Sequence, residues 1–122
     1  MSKTIMVVDD SASIRQVVRI ALNGAGYNVI EASDGKDALS KLTGEKIHLM
    51  ISDVNMPNMD GISLVKELKK NPRYKFTPVI MLTTEAGKDK MAEGKAAGAK
   101  AWVVKPFQPP QMLDAVSKLI LP

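Results

Sequence analysis

Five short apolar segments alternate with segments of helical periodicity, and this alternation limits the possible folds more than any other feature of the sequence. Near-continuous apolarity over so few residues is typical of strands that are buried on both faces. The predicted strands are Thr4–Asp9, Asn28–Ala32, His48–Ser52, Val79–Thr83 and Ala101–Val104. Strands that alternate with helices favour an α/β fold, in which a parallel sheet carries helices on both faces through right-handed crossovers.

Five helices are predicted from apolar residues spaced three and four apart. The first begins near Ser13, with Ser11 or Ser13 as its cap and Val17 and Val18 on its inward face, and it ends near Gly24. The others are predicted at Gly35–Thr43, Ile62–Leu68 and Lys88–Ala97, with the last from Pro109 onward.

The fourth predicted helix has few large apolar residues and contains Gly94. An interior glycine costs about 1 kcal/mol relative to alanine. We therefore expect this helix to have low local stability, and we expect Gly94→Ala to slow its hydrogen exchange.

Composition indicates one globular domain. The chain has 122 residues, no cysteine and no apolar run longer than four residues. These properties exclude a disulfide framework and a membrane-spanning helix, and no linker divides the chain. The start of the sequence lacks the apolar core of a signal peptide. We expect one domain over residues 1–122, without an output domain, in the cytoplasm and with no membrane partner.

The net charge of +4 is unevenly distributed. Residues 1–65 hold six basic and eight acidic side chains, whereas residues 66–122 hold eleven basic and five acidic ones. No helix-turn-helix is recognisable, so we expect no nucleic-acid partner. Several basic residues lie around the fourth helix, where we expect an acidic protein segment to dock: Lys88, Lys90, Lys95 and Lys100.

Polar residues follow four of the predicted strands. Asp9 and Asp10 end the first, Asp53 follows the third, Thr83 ends the fourth and Lys105 follows the fifth. The carboxyl ends of parallel strands share one edge of the sheet, where open α/β folds place their ligands. Three carboxylates at that edge would repel one another, and a hard cation such as Mg²⁺ would relieve the repulsion. With a hydroxyl and an ammonium nearby, the set is suited to phosphoryl transfer, with the third-strand carboxylate as nucleophile.

Taken singly, these residues also have simpler interpretations. Asp10 could cap the first helix, Asp53 could form a turn, and Lys105 could be a solvated charge. The prediction rests on compatible chemistry at all four strand ends. His48, the only histidine, begins its strand at the opposite edge, so we expect neither metal binding nor phosphate transfer from it.

Three motifs resemble the receiver domain of two-component response regulators: residues 7–11 (VVDDS), 53–61 (DVNMPNMDG) and 104–107 (VKPF). The resemblance runs from residue 3 to the end of the chain. Residues 78–86 (PVIMLTTEA) and 102–107 (WVVKPF) resemble most closely the single-domain, CheY-like chemotaxis branch of that family. The resemblance implies a flavodoxin-like, doubly wound sheet with strand order 2-1-3-4-5.

The resemblance also implies residue roles. Asp53 would be the phosphoacceptor, and Asp9 and Asp10 would hold Mg²⁺ together with Asp53 and the backbone carbonyl of Asn55. Lys105 would contact the phosphoryl group, in a Lys105–Pro106 bond that is commonly cis in the family. Two further pairs complete the implied set: Thr83 with Trp102 as the switch, and Asn55 with Glu85 as residues that tune dephosphorylation. Most relatives have Tyr or Phe where this chain has Trp102.

The function implied is a phosphorylation-dependent signalling switch rather than an enzyme, although self-phosphorylation from small donors and self-dephosphorylation are expected. Its partners would be a histidine kinase, a downstream protein such as the flagellar motor switch, and a phosphatase. Within this class, a phosphate shuttle or a regulator outside chemotaxis is an alternative. From other classes, an aspartate-nucleophile phosphohydrolase would require a second acid where Asn55 stands. A flavin-binding protein would place its phosphate against Asp9 and Asp10, which repel it.

Overall fold

The structure is a computed structural model that describes residues 3–83, 88–105 and 107–120, with only the backbone described at residues 83 and 88–91. Strands and helices alternate along this part of the chain. In chain order they are β1 (Thr4–Val8), α1 (Ala12–Gly24), β2 (Asn28–Ala32), α2 (Gly35–Ser40), β3 (Leu49–Asp53), α3 (Gly61–Lys70), β4 (Val79–Thr83), α4 (Lys88–Ala97), β5 (Ala101–Val104) and α5 (Pro109–Leu119).

The five strands form one parallel sheet in the order β2-β1-β3-β4-β5. The order reverses at β1, because β1 pairs with β2 on one side and with β3 on the other. The α/β prediction and the strand order implied by the resemblance are both confirmed. Among the described helices, none is long and apolar enough to cross a membrane.

Two hydrophobic clusters cover the two faces of the sheet, which explains the near-continuous apolarity of the strands. Successive residues of one strand belong to opposite clusters, as Met6 and Val7 of β1 do. The Met6 cluster includes α2 and α3, through Ala38 and Leu64, and the Val7 cluster includes α1 and α5.

Helix α1 begins after Ser11, whose Oγ accepts a hydrogen bond from the Ile14 N–H at 3.3 Å. Ser11 is therefore the cap, and Asp10 does not take that role. Val17 was predicted to face inward but is 47% exposed, whereas Val18 is fully buried. A turn of 100° separates consecutive helical residues, and the sheet covers only the sector around Val18 and Leu22.

The predicted limits of several other elements are also corrected: β1 ends at Val8 rather than at Asp9, and α3 spans Gly61–Lys70 rather than Ile62–Leu68. Strand β3 runs from Leu49 to Asp53 rather than from His48 to Ser52, since Asp53 pairs with Leu82 of β4.

Helix α2 ends at Ser40 rather than at residue 43. Hydrogen bonds of the 3₁₀ type close its end. The Lys41 N–H donates to the Ala38 carbonyl and the Leu42 N–H donates to the Leu39 carbonyl, each three residues earlier.

Helix α4 shows little separation of polar and apolar faces, but it makes one close contact through a glycine. A Cβ atom added at Gly94 would lie 2.7 Å from Cζ3 of the Trp102 indole on β5. The indole therefore packs directly against the helix backbone. This contact reverses the expected direction: we expect Gly94→Ala to destabilise the helix, because the cost of the overlap exceeds the propensity gain of about 1 kcal/mol.

Gly94→Ala should lower the free energy of unfolding by about 1–3 kcal/mol, the usual cost of overpacking a buried contact. The measurement is urea denaturation of the wild type, Gly94→Ala, Trp102→Ala and the double variant. We expect alanine at residue 94 to be tolerated once the indole is removed, so that the two effects couple by at least about 0.5 kcal/mol. Equal effects of Gly94→Ala with and without the indole would contradict this packing.

Candidate functional site

Three carboxylates meet at the carboxyl ends of β1 and β3. Asp9 directly follows β1 and is 1% exposed, Asp53 ends β3 and is 6% exposed, and Asp10 is exposed to solvent. Their side chains offer ligand oxygens that all lie within 4.8 Å of one another. The neighbouring positions of β1 and β3 in the sheet bring these residues together, as predicted.

Lys105, which follows β5, completes the cluster. Its Nζ lies 2.7 Å from Asp9 Oδ2 and 3.5 Å from Asp53 Oδ1. The Lys105 side chain is only 13% exposed, so this ammonium is held inside the acidic cluster and is not a solvated surface charge. The predicted convergence of three acids and one lysine is confirmed in the geometry.

Asp9 is oriented by groups on both sides of it. Its Oδ1 accepts a hydrogen bond from the Ser11 N–H at 2.9 Å, and its carbonyl oxygen accepts one from Arg15 Nη1 at 2.6 Å. Arg15 is itself held by Glu31 of β2, at 3.2 Å from Nε to Oε1. Arg15 is thus a positioning residue that the sequence analysis missed, because a helix arginine gives no sequence signal that it reaches back to a strand end.

Gly61, the first residue of α3, allows the close return of the chain beneath Asp53. A Cβ atom at Gly61 would overlap the Asp53 carbonyl oxygen, and the Gly61 N–H donates to the Val54 carbonyl at 2.8 Å. The intervening loop is fixed further by Asn58, which adopts φ 68° and donates from Nδ2 to Asp34 Oδ2 at 2.8 Å. The backbone that carries Asp53 is therefore held rigidly.

The pKa of Asp53 is raised from 3.8 to about 6. Burial is the largest cause, and the negative charge of Asp9 adds to it. The nearby Lys105 ammonium opposes both effects. The carboxylate form of Asp53 is thus present at neutral pH but is less stable than that of an exposed aspartate.

The other predicted site residues are placed as follows. Asn55 lies in the loop after β3 with its side chain exposed, and Trp102 is half-buried in β5. Thr83 ends β4, where it pairs with Val104, and its side chain lies outside the described atoms. Glu85 and Pro106 lie outside the described residues.

His48 lies at the opposite edge of the sheet, as expected, where its Nδ1 accepts a hydrogen bond from the Thr4 N–H at 3.0 Å. Lys100 was grouped by sequence with the fourth helix. In the structure it directly precedes β5 and lies at the same edge as His48, whereas Lys95 is exposed in the last turn of α4. The side chains of Lys88 and Lys90 lie outside the described atoms.

The donor set fits a hard divalent cation. Carboxylate oxygens are the ligands that Mg²⁺ prefers, and one or two of them suffice, since Mg²⁺ retains several water molecules. With all three acids ionised, the single ammonium of Lys105 leaves an excess of two negative charges in the cluster. A dication balances that excess.

The fold, the acidic cluster and the buried lysine together define a class of protein. The family model of the response regulator receiver domain matches residues 5–117. The chain belongs to this family, and it is a CheY-like receiver whose function is that of a two-component signalling switch.

Relatives extend over nearly the whole chain. The chemotaxis protein CheY1 of Helicobacter pylori is 39% identical over 119 residues, which cover 96% of this chain and 95% of that protein. The CheY homolog of Campylobacter jejuni is 36% identical over 95% of this chain and 91% of its own length. The crystallised chemotaxis protein CheY4 of Vibrio cholerae has a TM-score of 0.93 and 46% identity, covering 98% of this chain and 99% of its own.

The raised pKa of Asp53 predicts that stability falls with rising pH. The unfolded state, with pKa 3.8, loses its proton before the folded state, whose pKa is about 6, so the folded state is progressively disfavoured between these values. Relative to Asp53→Asn, the metal-free wild type should lose about 2–3 kcal/mol of unfolding free energy between pH ~4 and ~7. Urea denaturation in EDTA measures this difference, with Asp114→Asn as the surface-carboxylate control. A wild-type-minus-variant difference that stays constant with pH would contradict it.

Gly61→Ala should displace the Asp53 backbone. We expect a loss of at least about 1–3 kcal/mol in unfolding free energy, together with weakened Mg²⁺ binding, because the Cβ atom cannot fit beside the Asp53 carbonyl. The control is Gly24→Ala, since a Cβ at residue 24 meets no atom within 4 Å. If both alanine variants behave alike in denaturation and in Mg²⁺ titration, the close approach at Gly61 has no role in holding the site.

Proposed function

We propose that this chain is a phosphoacceptor switch in which Asp53 receives a phosphoryl group from a histidine kinase with the help of Mg²⁺. The observation that carries this proposal is the buried Asp53 carboxylate, held 3.5 Å from Lys105 Nζ at an acid-rich edge of the sheet. Membership in the receiver family supports it. Asp9, Asp10, Asp53 and the backbone carbonyl of Asn55 are the groups that would hold the ion, which neutralises phosphoryl oxygens when bound.

The transfer is a displacement at phosphorus. A carboxylate oxygen of Asp53 forms the new P–O bond while the P–N bond to the kinase imidazole breaks, and the departing imidazole takes up a proton. Lys105 is already within reach of Asp53, so its ammonium can stay beside the phosphoryl oxygens without rearrangement of the chain. This fixed position lowers the reorganisation needed during the transfer.

Asp53 can accept the phosphoryl group only in its ionised form. In the metal-free protein the pKa of Asp53 is about 6, so the carboxylate form predominates at neutral pH. Below that pH its protonated fraction rises and the nucleophile is lost. A dication bound at the cluster would lower this pKa and so keep Asp53 ionised at lower pH.

The output surface is proposed to lie around β5 and α4, with Thr83 and Trp102 as the switch. Trp102 is in direct contact with the α4 backbone at Gly94, so a change in the position of the indole alters how α4 packs. Since the similar proteins include chemotaxis proteins of three bacteria, we assign the downstream target to chemotaxis, the flagellar motor switch being the leading candidate. Asn55 and Glu85 would tune the lifetime of the phosphate, whether lost spontaneously or through a phosphatase. The protein would act in the cytoplasm.

Acetyl phosphate with Mg²⁺ should add one phosphoryl group to the wild type and none to Asp53→Asn. Intact-mass spectrometry gives the adduct, and the fluorescence of Trp102, the only tryptophan, gives the conformational response. EDTA should abolish labelling. Lys105→Met should reduce its rate by at least about tenfold, the scale expected for removing one charged group beside the transferred phosphoryl. Lys118→Met, which removes an exposed lysine, is the matched control.

A stable mass adduct that persists in Asp53→Asn would place the acceptor elsewhere and overturn the proposal. Labelling of the wild type that is unaffected by EDTA would contradict the role of the ion. Labelling without any fluorescence change would contradict the assignment of Trp102 to the switch, while leaving Asp53 as the acceptor.

A further inference from the structure

A groove of about 700 Å³ lies at the amino ends of the strands, opposite the carboxylate cluster. Its lining includes residues that immediately precede four strands: Lys3 before β1, His48 before β3, Pro78 before β4 and Lys100 before β5. The volume is within the range of small-molecule sites, about 300–1,000 Å³. The signalling function described above uses none of these residues.

The groove is strongly cationic. Five basic side chains line it, and the described residues that line it include no carboxylate: Lys3, Lys46, Arg73, Lys100 and Lys118. Lys118 is paired with Asp114 at 2.9 Å. Across the described part of the chain, no carboxylate lies within ion-pair distance of the other four. This concentration of unpaired positive charge favours an anionic ligand.

The pKa of His48, another residue of the groove lining, is lowered. Burial is the largest cause of its lowered pKa, and the positive charges of Lys3 and Lys46 lower it further. Since Nδ1 accepts the Thr4 N–H, a neutral ring carries its hydrogen on Nε2 and can act as a donor. An imidazole in this state adds a neutral polar group to the cationic lining.

Hydrogen bonds join the two loops that form the walls, so the groove is preformed. The hydroxyl of Tyr74, a residue only 2% exposed, accepts from the Gly44 N–H and donates to the Glu45 carbonyl, both at 2.9 Å. Thr77 Oγ1 donates to the Ile47 carbonyl at 3.3 Å. These side chains fix residues 44–47 against residues 74–77. The backbone of the two loops is therefore already ordered, and ligand binding has a smaller entropic cost.

The exposed aromatic ring of Phe76 also lines the groove. Phe76 is 86% exposed, the highest exposure among the large apolar side chains of the described residues, and Lys75 Nζ lies 5.1 Å from its ring centroid. A polyanion alone does not need this ring, and an apolar ligand does not need the unpaired cations. The two features together match a ligand that has an aromatic ring and several negative charges, since bases stack on such rings while phosphates bind the cations.

We propose that this groove binds a nucleoside polyphosphate, with the base against Phe76 and the phosphates among Lys46, Arg73 and Lys100. The concave shape favours a small ligand over a membrane surface, which is flat on this scale. The site is separate from Asp53 and does not depend on its phosphorylation.

Isothermal titration calorimetry of the full chain tests the proposal, with ATP as the probe and EDTA present so that the carboxylate cluster holds no metal. We expect ATP to bind at least about tenfold more tightly than either adenosine or tripolyphosphate. Adenosine lacks the phosphates that would contact the cations, and tripolyphosphate lacks the base that would contact Phe76. Raising the salt concentration should weaken ATP binding. Asp53→Asn should leave it unchanged, which separates this site from the phosphoacceptor site.

Two sets of variants examine the two halves of the groove. Lys46→Glu combined with Arg73→Glu should weaken ATP binding by at least about tenfold, whereas Lys36→Glu, a charge reversal on α2, should not. Phe76→Ala should weaken ATP binding by about fivefold or more and leave tripolyphosphate binding unchanged. The Phe76 side chain is exposed, so its loss does not endanger folding.

Several results would overturn the proposal. If tripolyphosphate bound as tightly as ATP and Phe76→Ala had no effect on ATP binding, the groove would recognise negative charge and not the base. No heat of binding up to about 5 mM ATP would show that no nucleotide binds with useful affinity. Tighter binding of an oligothymidylate, an acidic peptide or vesicles rich in anionic lipid, through the same cations, would assign the groove to a nucleic acid, a protein or a membrane.

Discussion

The mutual repulsion of Asp9, Asp10 and Asp53 is the constraint on which the rest of the site depends. Three carboxylates within 4.8 Å of one another are unfavourable in a folded protein unless positive charge is brought to them. The chain itself supplies one such charge, the Lys105 ammonium between Asp9 and Asp53, and a dication would balance the remainder. The clustered charges therefore lower the stability of this edge of the sheet, and a bound cation would offset that cost.

Much of the surrounding structure serves to keep these charges in place. Arg15 and the Ser11 amide hold Asp9, and the tight return at Gly61 fixes the backbone of Asp53. The parallel sheet supplies the frame, since β1 and β3 are hydrogen-bonded neighbours whose carboxyl ends coincide. If the acids moved apart, the contribution of the Asp9 charge to the raised pKa of Asp53 would be lost, whereas the larger contribution of burial would remain.

The sequence predicted the fold and the charged cluster because both follow from local patterns. Apolar strands alternate with helices, and residues suited to the site follow or end four of the five strands. It did not predict the contacts made across the tertiary structure. Gly94 was interpreted as a weak point of α4, whereas its missing side chain accommodates the Trp102 indole. Arg15 was not recognised at all, since neither its residue type nor its position in α1 indicates that it binds the carbonyl of Asp9.

The topology of the sheet explains where the unevenly distributed charges of the chain lie. In a parallel sheet, residues before the strands and residues after them lie at opposite edges, so the acids after β1 and β3 gather at one edge. Lys3 and Lys100, which precede β1 and β5, lie at the other edge beside Lys46 and Arg73. The basic excess is therefore not only a property of α4, as the linear sequence indicated. Repulsion among unpaired cations is a cost of the same kind as repulsion among the acids. At the amino edge no described carboxylate lies within ion-pair distance of these four cations. A ligand that neutralises these cations would stabilise the amino edge by the same electrostatic principle by which a dication would stabilise the carboxyl edge.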